Sequence, residues 1–459
     1  MKSYGITAYY RYGAIILFCF LLCTIQFTGA KWFINITPIP STALLAFLAA
    51  GFFVLSFMSN QNKQFDYQQN KVVNQFILLF VIAITLSALS SIYTAFQIHS
   101  VEYTAYIKSS LITRMLYYIT FVSLLFFGFN VLKDYSQDKL MKWIKFYPIS
   151  LFLLMLIGVW QILYFTTDFI PFIGLDTRSY VHSIQGTSMF DFRITSFLDE
   201  PSYLGPLLID FLILGFLVFC KKWKYVVFIA IPTTVVLLFS FSVSAYANLL
   251  LITLFLLIQL LKKIDVININ YKKVAIVSGI MLVVLFVFIF IFQDLLLGFF
   301  SPIIGRFGGL LDINKSSRMY MYVMPAFWLF DHSFLSGLFG YGPGSYDFLS
   351  NTKILPYSLN NLSVSSNNIF VDFLFETGVV GVGLLIVGLT FLFIYLWKRF
   401  TKNIYTFIAL TEFVHLMITS LYRSDYSTPR FWVLLLIIFL LSRFESNKTA
   451  TSIGKEGGK

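Results

Sequence analysis

Residues 367–396 read NNIFVDFLFETGVVGVGLLIVGLTFLFIYL, a run whose only charges are Asp372 and Glu376. A helix needs ~17–25 residues to cross a bilayer, and this run is long enough. Helix is also the only solution for it, because lipid offers the backbone no partner outside its own segment. The rest of the chain follows suit. Of its 459 residues 58% are hydrophobic and 12% charged, and the mean hydropathy is +0.81. Soluble domains carry about 25% charged residues, so this is an integral membrane protein.

Cutting at the charged loops predicts twelve spans, at 13–30, 41–58, 73–93, 111–132, 146–166, 203–220, 224–240, 243–261, 274–297, 367–396, 404–421 and 429–443. The expected fold class is all-α and polytopic, one integral membrane domain over 1–459 with large connections at 167–202 and 298–366. With both termini and the even-numbered connections inside, 22 of the 33 Lys and Arg fall on the cytoplasmic side. By the positive-inside rule both large connections then face outwards, to the periplasm or cell exterior. The net charge of +12 is spread over short cytoplasmic loops, which argues against a nucleic-acid partner. The first span continues into the polytopic pattern and reads as retained, not as a cleaved signal.

The soluble-enzyme chemistries find no support. Cys19, Cys23 and Cys220 lie in predicted spans, where cysteine acts as a small apolar residue, and they lack metal-site spacing. His99, His182, His332 and His415 are scattered. No P-loop, GxSxG elbow or DxD pair occurs. The outer polar residues therefore carry the question.

The first outer connection ends in Arg193-Ile194-Thr195-Ser196-Phe197-Leu198-Asp199-Glu200-Pro201-Ser202. A guanidinium grips phosphate as a planar fork at any physiological pH. A carboxylate can act as general base, so Arg193 and Glu200 could divide those tasks. Pro201 suits the first turn of a helix, which would set Glu200 near its positive end. The alternative is that Arg193, Asp199 and Glu200 are interface anchors or a surface ion pair. The second outer connection predicts an amphipathic helix over Met319–Phe334 behind a serine cap, kinked at Pro325. The glycines at 337, 340, 342 and 344 mark a tight turn region, open to close approach by a ligand or needed for the turn alone. Arg306 and Arg318 could hold phosphate or lipid headgroups. Asp372 and Glu376, four apart, share a helical face. Intramembrane charges usually face a cavity or a partner, here Glu412, His415, Asp210 or Arg114, and a structural ion-pair network is the competing reading. Arg423 and Asp425 stand at the outer end of the eleventh span and could join either cluster.

Gly337-Leu338-Phe339-Gly340-Tyr341-Gly342-Pro343-Gly344-Ser345-Tyr346, then Ser366-Asn367-Asn368, then Glu376-Thr377-Gly378-Val379-Val380-Gly381 together resemble the O-antigen ligase/polymerase superfamily. Arg193 to Ser202 resembles the R…F-x-x-E-P-S segment of its polymerase branch, the Wzy-type bacterial polysaccharide polymerases. The resemblance covers roughly 190–385. It implies a GT-C-type inner-membrane glycosyltransferase that uses undecaprenyl-pyrophosphate-linked sugars, inverts the anomeric centre, and needs neither metal nor nucleotide sugar. Its partners would be lipid-linked glycans, the bilayer and, as a candidate, a chain-length regulator. Carried over by position, Arg193 and Arg318 would contact pyrophosphate and Glu200 would be the base. Arg306 and Arg423 are second-line phosphate contacts, and His332, Asn367, Asn368 and Glu376 complete the substrate site. The ligase branch has a histidine where this chain has Asn367. An asparagine cannot take and hold a proton, so the pattern favours a polymerase over a ligase that transfers glycan to lipid A-core. A lipid-oligosaccharide flippase, the rival of another class, would show repeated halves and midplane charges.

Overall fold

The computed structural model describes residues 2–27, 40–59, 71–98, 100–167, 193–198, 200–218, 222–264, 317–346 and 366–444. The ninth expected span, Arg306, Asp199 and most of both large outer connections lie outside these residues.

Among the described residues every element is helical and none is a strand. The helices used below are α1 (Lys2–Thr24), α2 (Ser41–Met58), α3 (Lys71–Ile98), α4 (Val101–Tyr106), α5 (Ile112–Leu132), α6 (Gln137–Ile144), α7 (Phe146–Thr167), α8 (Pro201–Leu214), α9 (Ile231–Phe239), α10 (Val243–Ile264), α11 (Ser317–Trp328), α12 (Phe334–Phe339), α13 (Ile369–Trp397), α14 (Ile404–Ser420) and α15 (Pro429–Leu441). Among the described residues, five stretches are long and apolar enough to cross a membrane: Ser41–Met58, Lys71–Gln97, Tyr103–Leu132, Gln137–Thr167 and Ile369–Trp397. Six shorter apolar helices accompany them. Large apolar side chains such as Ile16, Leu89, Ile119 and Leu250 face outwards, as lipid in place of water allows.

Two features position the site. The first is α15, whose thirteen residues are all buried. It packs against α5 and α14, and Trp432 fills the space beside Phe80 and Phe121. Asn403, the cap of α14, donates to the Phe444 carbonyl at 2.6 Å, which levels the two helices at one end. The connection at 421–428 joins the other ends of these helices, with Asp425–Ser427 as a single 3-10 turn, and Arg430 follows at the second position of α15.

The second is Arg193–Leu198, a non-helical segment whose Ile194, Ser196 and Leu198 are buried. Irregular backbone at membrane depth survives only where protein satisfies it, and Gln161 of α7 does so here. Its Oε1 accepts from the backbone N–H of Thr195 (3.3 Å) and Ser196 (2.9 Å), and its Nε2 donates to the Ser196 carbonyl at 3.1 Å. The Ile194 N–H donates to the Phe239 carbonyl (3.1 Å) and the Ser196 hydroxyl to the Leu154 carbonyl (2.6 Å). Pro201 then opens α8 at its first position with Glu200 as the N-cap residue.

The expected helix over Met319–Phe334 is shorter in the structure. It ends at Trp328 because Ser333 and Ser336 form a reciprocal capping box that starts α12, and capping of this kind defines a new N-terminus.

Candidate functional site

Where α13 meets the Gly-rich stretch, two irregular backbones cross. Gly378 breaks α13 with φ +70° and ψ −176°, a conformation open mainly to glycine. The break releases carbonyls that α13 would otherwise bond internally. The Phe375 carbonyl accepts from the Tyr341 N–H at 3.2 Å, and the Glu376 carbonyl from the Gly342 N–H at 3.0 Å and the Ser87 hydroxyl. A Cβ on Gly378 would stand 2.3 Å from the Leu338 carbonyl group, and one on Gly340 (φ +79°) 2.1 Å from the Glu376 oxygen. The glycines thus let one backbone approach another. Tyrosines secure the loop from outside: Tyr103 donates to the Tyr341 carbonyl (2.6 Å) and Tyr106 to the Pro343 carbonyl (2.9 Å).

This crossing holds the Glu376 side chain in the wall of a cavity of about 430 Å³, within the range usual for small-ligand sites. Its wall comes from helix ends that all lie at one end of the bundle: Gln26 after α1, Thr42 in α2, Arg114 and Tyr117 in α5, Leu198 and Tyr203 beside α8, Asn367 and Asp372 at α13, and 423–430 between α14 and α15. The lysine and arginine distribution expects this end to face outwards.

Asp372 and Glu376 both line the cavity, one helical turn apart. Asp372 accepts from the hydroxyls of Ser366 and Ser424. Glu376 accepts from Tyr118 at 3.3 Å, with Gly344 and Tyr426 as further donors and Arg114 as the nearby cation. Arg114 in turn lies against Gly344, where a Cβ would sit 3.2 Å from its Nε. Burial and the Glu376 carboxylate hold the Tyr426 hydroxyl well above the usual tyrosine range, so it stays a neutral donor.

The 423–430 segment adds an alternating chain of charge. Arg423 bonds Asp425 through Nε (3.0 Å) and Nη2 (2.8 Å), donates from Nη1 to the Tyr203 carbonyl at 3.1 Å, and lies 4.4 Å from the Tyr203 ring centroid. Arg430 donates from Nη1 to Asp425 at 2.7 Å, and from Nε and Nη2 to Asp210 at 2.8–3.1 Å. Asp210 also accepts from Tyr147 at 2.6 Å and sits 2.9 Å from Nε2 of His415. That nitrogen faces the Pro206 carbonyl too. Both neighbours are acceptors, so Nε2 carries a proton. Glu412 is buried beside the same group.

The sequence candidates divide accordingly. Asn367, Glu376 and Arg423 are brought together at the cavity. Asn367 adopts φ +55°, which asparagine tolerates better than most residues. Glu200 is not among the lining residues, although Leu198 and Tyr203 on either side of it in sequence are; its carboxylate accepts from Ser202 at 2.8 Å. Arg193 lies apart from the lining residues and donates to the Ser240 (3.2 Å) and Phe241 (3.1 Å) carbonyls behind α9. Asn368 caps α13, accepting from Phe370 and Val371. His332 is exposed with its ring edge on Tyr341. Arg318 lies in the first turn of α11, and its side chain is outside the described residues. Of the partners expected for Asp372 and Glu376, Arg114 is present at Glu376, whereas Asp210 and His415 belong to the Arg430 chain. Sequence reading missed Arg430 altogether. An arginine inside a short apolar helix and an aspartate inside another are the signal that would have paired them.

No curated protein and no solved structure matches the chain. Residues 225–386, the crossing at Gly340 and Gly378 included, match the family model described as O-antigen ligase, which supports the resemblance to the O-antigen ligase/polymerase superfamily.

Proposed function

We propose that this protein polymerises undecaprenyl-pyrophosphate-linked oligosaccharide repeat units into a surface polysaccharide at the outer face of the inner membrane. The family match supports a role in polysaccharide assembly as a glycosyltransferase-like membrane enzyme. One observation carries the finer reading: the position filled by histidine in the ligase branch is Asn367, and it lines the cavity beside Asp372 and Glu376. Among the described residues that line the cavity, none is a histidine.

In the proposed step the acceptor sugar hydroxyl attacks the anomeric carbon of the growing chain. The new glycosidic bond forms as the bond to the lipid pyrophosphate breaks, with inversion and without metal. Glu200 takes the hydroxyl proton. Arg193 and Arg318, with Arg306 in support, stabilise the charge that develops on the leaving pyrophosphate. Asn367, Asn368, Glu376, Arg423 and His332 belong to the substrate-binding surface.

A strain lacking the protein, complemented with Glu200→Gln or Arg193→Ala, is expected to lose long glycan chains on a gel while one repeat unit still reaches its acceptor. Each variant should insert at the normal level. A full ladder from both variants would remove these catalytic assignments. Loss of even the single unit in the deletion strain would point to a ligase or flippase instead.

A further inference from the structure

We infer that the 430 Å³ cavity seats sugar hydroxyls of the acceptor repeat unit, and that the lipid pyrophosphate binds outside it. The inference rests on the polymerase reading and adds a division of labour within it.

The cavity's cations are committed to the protein. Arg430 is shared between Asp210 and Asp425, and Arg423 between Asp425 and the Tyr203 carbonyl. Arg114 acts on Glu376 and lies against Gly344. Among the described lining residues, three arginines stand with three carboxylates (Asp372, Glu376 and Asp425), and Asp210 adds a fourth acid beside Arg430. A pyrophosphate brings negative charge and only acceptors, so it would enter a site already balanced and be repelled by its acids.

A ligand rich in O–H donors meets the opposite situation. Gln26 lines the cavity, is 1% exposed, and its Oε1 has no hydrogen-bond partner among the described residues. Its Nε2 is spent on the Cys23 carbonyl at 2.7 Å, which fixes the amide with its oxygen as the unused end. A buried acceptor without a donor is costly, and an incoming hydroxyl would satisfy it. Asp372 and Glu376 are further acceptors on the lining. Tyr117, Tyr203 and Tyr346 add rings with an apolar body and a polar tip, a surface suited to a ligand that is itself part apolar and part hydroxyl.

The test uses the full chain in lipid nanodiscs and two probes: the repeat-unit oligosaccharide released from its carrier by mild acid, and inorganic pyrophosphate. Asp372→Asn keeps side-chain shape, and Gln26→Met keeps length while removing the acceptor. Each should weaken oligosaccharide binding roughly tenfold, the scale of one buried hydrogen bond, and leave pyrophosphate binding unchanged. Arg193→Ala should weaken pyrophosphate and spare the oligosaccharide. Equal melting temperatures for the variants and the parent protein would confirm that folding is intact. The assignment is overturned if oligosaccharide affinity ignores Asp372 and Gln26, or if pyrophosphate affinity follows them. A deletion strain that keeps its full ladder overturns the polymerase reading itself, and takes this inference with it. A lost ladder with an unresponsive oligosaccharide affinity removes the cavity assignment alone.

Discussion

Arg430→Ala is expected to remove most of the folded protein. The guanidinium is 4% exposed and holds Asp210 and Asp425, themselves buried at 0% and 4%. Deleting one partner of a buried ion pair costs about 3–5 kcal/mol, because the remaining charge has neither water nor a counter-ion. Here Asp210 loses its guanidinium and Asp425 keeps only Arg423 of its two, against a net stability of about 5–15 kcal/mol for ordinary proteins. Arg430→Lys should recover only part of the loss. An ammonium keeps the charge, but it lacks the planar fork that reaches Asp210 and Asp425 together. Thermal melting of the three proteins in one detergent should therefore rank parent above lysine above alanine. An alanine variant that melts with the parent would show that the charge chain contributes nothing to folding.

Gly378→Ala is the second large effect. The substitution adds a Cβ at φ +70°, 2.3 Å from the carbon and oxygen of the Leu338 carbonyl. This positive-φ extended backbone alone costs a non-glycine residue about 1–3 kcal/mol, and a backbone neighbour cannot rotate away as a side chain would. Either α12 shifts or the bonds from Tyr341 and Gly342 to α13 part, and both outcomes move Glu376. Long glycan should disappear, with folded protein reduced. Gly383→Ala, one and a half turns along the same helix, is the control. Nothing lies within 4 Å of its added Cβ, so glycan and melting temperature should stay at parent values or rise slightly, since alanine is the better helix former. Equal behaviour of the two variants would contradict the role given to the crossing.

The membrane made much of this architecture legible in advance. Because lipid permits only self-satisfied backbone, apolar runs such as 367–396 read as helices from composition alone, and Pro201 marked the start of α8. Asp372 and Glu376 were placed on one face by the helical repeat, and they do line one cavity. What stayed hidden is what depends on a distant partner. Nothing near Gln161 announces that its amide serves Thr195 and Ser196, more than thirty residues on. The Gly340 region read as open to a ligand or a plain turn, and its partner is the broken helix at Gly378. Arg430 escaped notice because its meaning lies in Asp210, on a helix more than two hundred residues earlier. The Arg193–Ser202 stretch reads as a charged edge; its start is also packed against the bundle, and Arg193 has a structural task at Ser240 and Phe241 beside any catalytic one.

The most direct test of the central claim is reconstitution. Purified protein in lipid vesicles is given undecaprenyl-pyrophosphate-linked single repeat units, with chelator present and nucleotide sugars absent, and the products are separated by size. A ladder of lipid-linked chains, lost with Glu200→Gln, is the predicted result. Units that stay single, yet move onto added lipid A-core, would contradict the account and make the protein a ligase.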